Sequence, residues 1–147
     1  SAGIGFAIPI DTAKAVIGDY AKYGHIRRPT LDIVTLDVFP GMAQQIGLPV
    51  DYGVLIERVR PGGAAQKAGL LGGTQRAYEG NTPVMLGGDL IVAFDGQQIA
   101  SHQDLAAAMN AKDAGDTVTL TIFRGNRRMN VHVTLGDAQG QSQGPHI

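Results

Sequence analysis

Short β-prone runs separated by glycine- and proline-containing turns are the feature that most restricts how this chain can fold. The 147 residues include 21 glycines and 7 prolines, which end strands and helices because their backbone preferences do not suit regular structure. We expect about five or six strands and two short helices over residues 30–136. Such elements pack as a small antiparallel barrel or sandwich with helices over its open ends.

The predicted elements follow from hydrophobic alternation and from turn signals. Strands are predicted at residues 30–38, 53–59, 89–94, 97–99, 117–124 and 128–135. Helices are predicted at residues 40–48 and 101–111, the latter with Ser101 as its N-cap, and a single helical turn is predicted at residues 64–68. Residues 71–85 contain three glycines, an asparagine and a proline and predict a long loop. Residues 136–147 are polar and predict a tail without a fold of its own.

The charge and cysteine content exclude several classes of protein. Twelve basic against thirteen acidic residues give a formal net charge of −1, so we expect no broad basic surface for nucleic acid. The chain has no cysteine, which excludes a disulfide scaffold, a cysteine zinc site and a thiol nucleophile. No apolar run reaches 18 residues, so no membrane-spanning helix is expected.

The residues that usually carry catalysis lack the required patterns. Ser1, Ser101 and Ser142 do not lie in a glycine-flanked nucleophile turn or beside a positioned base. The histidines are His25, His102, His132 and His146, without a pair at helical ligand spacing. We therefore expect no enzyme activity of this chain itself, no metal site and no cofactor. Arg124, Arg127 and Arg128 flank a predicted hairpin turn and are expected to be solvated.

Several motifs occur in the order found in one protease family. Residues 1–9, SAGIGFAIP, resemble the strand S-x-G-I-G-F-A-I-P near the end of the trypsin-like domain of HtrA/DegP-type serine proteases. A predicted helix at 11–23 and the linker then precede segments that resemble the PDZ domain of that family. These segments are residues 54–70, 88–96, 101–109 and 115–135. Together the matches cover about nine-tenths of the chain.

The resemblance implies a fragment of a larger protein. Residues 1–24 would be the last strand and helix of the truncated protease domain, 25–29 a linker, 30–136 a PDZ domain with an insert at 71–85, and 137–147 a flexible tail. The parent protein would be a serine endopeptidase of the periplasm or cell envelope, active in protein quality control. The segments that carry its catalytic triad would lie outside this chain.

The resemblance also implies a peptide-binding groove. A PDZ domain adds an extended peptide to a sheet edge by β-augmentation, here at residues 33–38, which include Val34 and Thr35. The backbone N–H groups of residues 31–33 would hold a terminal carboxylate, with Arg27 or Arg28 adding positive charge.

The helix predicted at residues 101–111 would form the other wall of this groove. A pocket for the last ligand side chain would be lined by Leu31, Ile33, Leu105 and Met109, with Ala106 beside it; the alternative is that these residues are plain core. His102 would select Ser or Thr in the ligand, whereas the bacterial family generally prefers apolar ligands.

One residue departs from the family pattern. The carboxylate-binding loop usually has glycine between two apolar residues, and here it has Leu31-Asp32-Ile33. Like charges ~5 Å apart repel by on the order of 3 kcal/mol at an effective dielectric of ~20. Unless Arg27 or Arg28 neutralises Asp32, we expect weak binding of free C-termini or a preference for internal segments.

Two functions from different classes remain open at this level. The first is a regulatory domain that binds peptide or unfolded-protein segments, recruiting substrates or activating the protease domain of the same protein. The alternative is an assembly module that holds protease subunits together in a homo-oligomer, with an incidental groove. The insert at 71–85 slightly favours the alternative, since loops of that length are often functional.

Overall fold

The computed structural model describes residues 28–38, 40–79 and 81–137. The strand and helix predicted within residues 1–24, most of the linker, and residues 138–147 lie outside the described residues.

The described residues form ten strands and three helices. The strands are β1 (Pro29–Thr30), β2 (Ile33–Asp37), β3 (Val54–Val59), β4 (Gln75–Glu79), β5 (Thr82–Leu86), β6 (Leu90–Phe94), β7 (Gln97–Gln98), β8 (Thr117–Arg124), β9 (Arg127–Thr134) and β10 (Gly136–Asp137). The helices are α1 (Pro40–Ile46), α2 (Ala64–Lys67) and α3 (His102–Asn110). The prediction of a mainly β chain with short helices is confirmed.

An antiparallel sheet in the order β2-β3-β6-β8-β9 organises the fold, with β7 attached to β6. The β8–β9 hairpin is regular from the pair Thr117 and Thr134 to the pair Arg124 and Arg127. Its turn uses Gly125 at φ +66°, as the glycine in the sequence predicts. The short strands β1 and β10 pair separately and bring the two ends of the described chain together.

The sheet is covered on both faces because apolar residues occupy successive positions of its inner strands. Leu55 belongs to one buried cluster and Ile56 to the other, as expected for neighbours that point to opposite faces of a strand. The first cluster lies beneath α2 and α3 and includes Leu105 and Met109. The second lies beneath α1 and includes Met42.

The prediction of a loop at residues 71–85 is wrong. This segment contains the hairpin of β4 and β5, which pair from Gln75 with Leu86 to Glu79 with Thr82. Glu57 of β3 fixes its base, because its carboxylate accepts the Met85 N–H at 2.9 Å and its carbonyl accepts the Gly73 N–H at 2.8 Å. The glycines therefore flank the strands rather than break them.

Two strand boundaries also differ from the prediction. Asp32, at φ +59°, interrupts the strand predicted at 30–38, so Thr30 belongs to β1 and pairs with Gly136, whereas residues 33–37 form β2. The predicted tail began at residue 136, but Gly136–Asp137 form β10. Both differences arise because β1 pairs with β10, which is far from it in the sequence.

Candidate peptide-binding groove

Strand β2 presents a free edge beside α3. Within the described residues β2 pairs with β3 alone and is the terminal strand of the sheet. An edge strand carries backbone donors and acceptors that can pair with another extended chain. The segment predicted to pair with a ligand, residues 33–38, therefore contains a strand whose outer edge is available for pairing.

The pairing with β3 indicates which backbone groups face that edge. The Arg60 N–H donates to the Asp32 carbonyl at 2.9 Å, so Asp32 faces β3. Successive residues of an antiparallel strand direct their backbone groups to alternate sides. The N–H and carbonyl of Ile33 therefore point toward the free edge.

Side chains of β2 hold the N-terminus of α3 beside this edge. The His102 N–H donates to Oδ1 of Asp37 at 2.7 Å, and Oγ1 of Thr35 lies 3.0 Å from Nδ1 of His102. The Ser101 hydroxyl accepts the Asp104 N–H, as predicted for the N-cap. Asp37 is a residue that the sequence prediction missed, because only the tertiary fold places it at this helix end.

The four residues predicted to line a side-chain pocket lie in the core. Leu31 and Leu105 are 0% exposed, Ile33 1% and Met109 4%. All four belong to the cluster beneath α3. The structure thus places the four residues together, as predicted, and their burial is what the alternative of a plain core role expects. A role in holding a ligand side chain stays a prediction.

The remaining candidates lie around these four. Val34, Ala106 and His102 are half-buried, whereas Thr35 is buried. Ala106 is four residues after His102 and therefore lies on the same side of α3. Arg28 is exposed and Arg27 is outside the described residues.

The loop predicted to bind a carboxylate has an unusual geometry at Asp32. Its φ of +59° is in the left-handed region, which asparagine and aspartate tolerate better than other side chains. The Asp32 N–H donates to Oγ1 of Thr30 at 3.0 Å, and the Leu31 carbonyl accepts the Ala65 N–H of α2. The loop is therefore held by its own neighbours.

A cation that the sequence prediction did not name faces the Asp32 carboxylate. Arg60 Nη1 lies 3.7 Å from Oδ1 of Asp32, whose side chain is 11% exposed. The predicted neutralising residues were Arg27 and Arg28, which are close to Asp32 in sequence. Arg60 is brought there by the pairing of β3 with β2, which sequence spacing does not reveal.

Arg124 is not the solvated residue that the sequence predicts. It forms two hydrogen bonds, of 2.9 and 2.8 Å, with the carboxylate of Asp89, which is 1% exposed, and also donates to the Gly69 carbonyl. The hydrogen bonds to Asp89 raise the pKa of Arg124 above its usual value. Asp89 also accepts the Leu71 N–H. This pair joins β8 to the end of α2 and to the start of the insert.

The helix that flanks the edge strand lies in a segment that matches a known domain family. A family profile described as "PDZ domain" matches residues 36–135. The chain belongs to the PDZ domain family. The match covers more than half of the chain and includes the last two residues of β2, α3 and the insert hairpin of this PDZ domain.

Curated relatives of this PDZ domain chain are proteases. It is 32% identical over 92% of its length to "Protease Do-like 1, chloroplastic" of Arabidopsis thaliana, covering 29% of that protein. It is 33% identical over 91% of its length to a "Probable periplasmic serine endoprotease DegP-like" of Pseudomonas putida, covering 25% of that protein. The chain thus spans about a quarter of the length of the curated relatives it matches.

A solved structure with the same fold is described as "HtrA-type protease AlgWS227A with decapeptide". The two chains have a TM-score of 0.64 and 24% sequence identity, over 93% of this chain and 37% of the other. At this identity the likeness concerns the fold. Among the helices of the described residues, none is long and apolar enough to cross a membrane.

Proposed function

We propose that this chain is a peptide-binding regulatory module of an HtrA-like serine endopeptidase. It binds an extended polypeptide segment that pairs with β2 and lies against α3. The observation that carries the proposal is the free edge of β2 beside a helix tied to it through Thr35, Asp37 and His102. Backbone pairing supplies affinity, and side chains that face α3 supply selectivity.

The relatives support the wider setting of this module. The names of the bacterial relatives describe periplasmic serine proteases, two of them as endoproteases. We infer that the parent protein cleaves proteins outside the cytoplasm and that residues 1–24 belong to the end of its protease domain. Bound segments would be substrates delivered to that domain or signals that activate it.

Binding in this groove is tested by substituting two neighbouring alanines of α3. Ala106 is half-buried on the side of His102, whereas its neighbour Ala107 is exposed and lines a separate cleft with Gln97 and Gln98. Ala106→Arg places a long side chain in the groove, and Ala107→Arg adds the same side chain outside it. An array of extended apolar decapeptides, followed by fluorescence polarisation of the strongest binder, measures the effect.

We expect Ala106→Arg to weaken binding by at least tenfold and Ala107→Arg by less than twofold. Circular dichroism of both variants establishes that each is folded. Equal binding by the two variants, or absence of binding to every peptide by the wild type, would contradict the proposed function. Assembly of protease subunits through this domain stays a prediction from the sequence.

A further inference from the structure

We propose that the insert hairpin is a self-association surface, in which β4 pairs antiparallel with β4 of a second copy of this chain. The two hairpins then form one four-stranded sheet with the two β4 strands at its centre. This contact is separate from the groove beside β2 and goes beyond the function proposed above. It is carried by the free edge of β4, by the side chains exposed on that strand and by the register that they select.

Strand β4 has an edge without a partner in the part of the chain that the structure describes, where it pairs with β5 alone. The Met85 N–H of β5 donates to the carboxylate of Glu57 at 2.9 Å, so Met85 and its partner Arg76 form a pair without mutual hydrogen bonds. Pro83, which has no N–H, is likewise the partner of Tyr78. The N–H and carbonyl groups of Arg76 and Tyr78 therefore point away from β5, toward the free edge.

The hairpin is fixed at its base before any partner arrives. Glu57 accepts N–H groups from both sides of the insert, through its carbonyl from Gly73 and through its carboxylate from Met85. The base is also packed against β3, because a Cβ added to Gly88 would overlap the Ile56 carbonyl. A strand ordered in this way loses little conformational freedom when it pairs, so less of the binding free energy is spent on ordering it.

Strand β4 lacks most of the features that protect edge strands from pairing, such as a proline, a bulge or a covering helix. It contains no proline, and its register with β5 is regular over all five pairs. Tyr78 is 65% exposed and Leu71 51% exposed, and among the residues with described side chains these are the exposed large hydrophobic ones. Both lie in the insert, and exposed aromatic residues are enriched where proteins contact each other.

The side chains of β4 select one symmetric register. Hydrogen-bonded pairs must join outward-facing residues, which leaves three possibilities. Arg76 opposite Arg76 of the second copy sets like charges against each other, which is destabilising. Tyr78 opposite Tyr78 of the second copy leaves Arg76 beyond the end of the other strand.

The remaining register places Arg76 of each copy opposite Tyr78 of the other. It makes four backbone hydrogen bonds and two cross-strand pairs in which a guanidinium can lie over an aromatic ring. Both side chains are exposed and stand on the same face of β4. The strand is thus complementary to itself, which is what a two-fold symmetric interface requires.

The contact is small, and its affinity is correspondingly low. Four hydrogen bonds are fewer than the about ten of a typical stable interface. It gains strength where copies of the domain are already held close together, because the effective concentration of the second strand is then in the millimolar range. The isolated chain is therefore measured up to about 1 mM, which corresponds to an association free energy of about −4 kcal/mol.

The experiment compares the 147-residue chain with its variants Tyr78→Glu and Tyr78→Lys, using NMR translational diffusion over this concentration range. Both variants remove the same exposed ring, and circular dichroism establishes that they are folded. Glu lies opposite Arg76 of the second copy, whereas Lys sets a like charge against it. The formal net charge changes from −1 to −2 with Glu and from −1 to 0 with Lys. General charge repulsion thus favours association of the Lys variant, opposite to the proposed pairing.

We expect the wild type to dimerise with a dissociation constant below about 1 mM. Tyr78→Glu should remain within about threefold of the wild type, and Tyr78→Lys should dimerise at least about tenfold more weakly, because symmetry applies the repulsion twice. Amide exchange of Arg76 and Tyr78 should slow with rising concentration. Exchange of Ala77 should not change, since its N–H already pairs with β5.

Three results would overturn the inference. The first is a wild type that stays monomeric up to about 1 mM. The second is equal dimerisation by the Glu and Lys variants, which would mean that residue 78 does not face Arg76 of the second copy. The third is dimerisation without slower exchange at Arg76 and Tyr78, which would place the contact elsewhere on the domain. Peptide binding in the groove is a separate measurement, so the proposed function stands or fails independently of these results.

Discussion

Asp32 and Gly63 share one small space in the loop at the beginning of β2. A Cβ added to Gly63 would lie 2.6 Å from Cβ of Asp32 and 2.9 Å from its Oδ2. The backbone of Gly63 is extended, with φ −79°, so steric room rather than backbone freedom requires glycine there. Because Gly63 has no side chain, the loop has room for the side chain of Asp32.

We therefore expect Gly63→Ala to destabilise the protein by about 1–3 kcal/mol, the usual cost of overpacking. In an Asp32→Gly background the same change should cost at least about 1 kcal/mol less, since residues in contact couple by this much. Urea unfolding of the four proteins in the double-mutant cycle measures both values. Additive effects of the two substitutions would show that they do not compete for space.

The pair formed by Asp89 and Arg124 is expected to stabilise the base of the insert. Replacing Arg124 by methionine leaves the 1% exposed carboxylate of Asp89 without its cation. Removal of one member of a buried pair typically costs about 3 kcal/mol, and urea unfolding measures it. Arg127→Met at the exposed start of β9 is the matched control and should change stability by less than about 0.5 kcal/mol. Equal losses in the two variants would be inconsistent with a special role for Arg124.

Asp95 is expected to make stability depend on acid pH. The Thr119 N–H, at 2.7 Å, lowers the pKa of Asp95, with a further contribution from Lys112. A carboxyl group whose pKa is lower in the folded state stabilises the protein above its unfolded pKa of about 4, and this stabilisation is lost as pH falls through the folded pKa.

Asp95→Asn removes that dependence and suits φ +49° at this turn. The stability difference between the wild type and this variant should be below about 1 kcal/mol at pH 7, because both side chains of the pair are partly exposed. It should shrink between about pH 5 and pH 2. Urea unfolding across this range measures it, with the exposed Asp51→Asn as control. A difference that grows on acidification would reverse the predicted sign.

Thr35 is expected to fix the orientation of α3 through His102. Thr35→Val preserves shape but removes the hydroxyl that lies 3.0 Å from Nδ1 of His102, at a cost of about 1 kcal/mol. Amide hydrogen exchange in the first turn of α3 should accelerate. Thr119→Val removes an equivalent 3.0 Å contact with His132 on the exposed side of β8 and β9 and should leave α3 unchanged. Unaltered exchange in both variants would mean that the Asp37 contact alone holds the helix.

The sequence predicted most local elements because each has a local signal. Ser101 marks the start of α3 and Gly125 the β8–β9 turn, and both act on neighbouring backbone. The insert hairpin was missed because its anchor, the Glu57 carboxylate on the Met85 N–H, joins residues far apart in the chain. Arg60 was missed beside Asp32 for the same reason.

The sequence by itself determined the mainly β fold class, the segments that become β2 and α3, and the aspartate in the loop that resembles a carboxylate site. Only the tertiary structure decided what surrounds that aspartate: Thr30 on its N–H, Arg60 on its carboxylate and Gly63 against its Cβ. The physical reason is the sequence separation over which each kind of interaction acts. Caps, turns and alternation act between residues close in sequence, whereas burial, ion pairing and steric room depend on which distant strands meet.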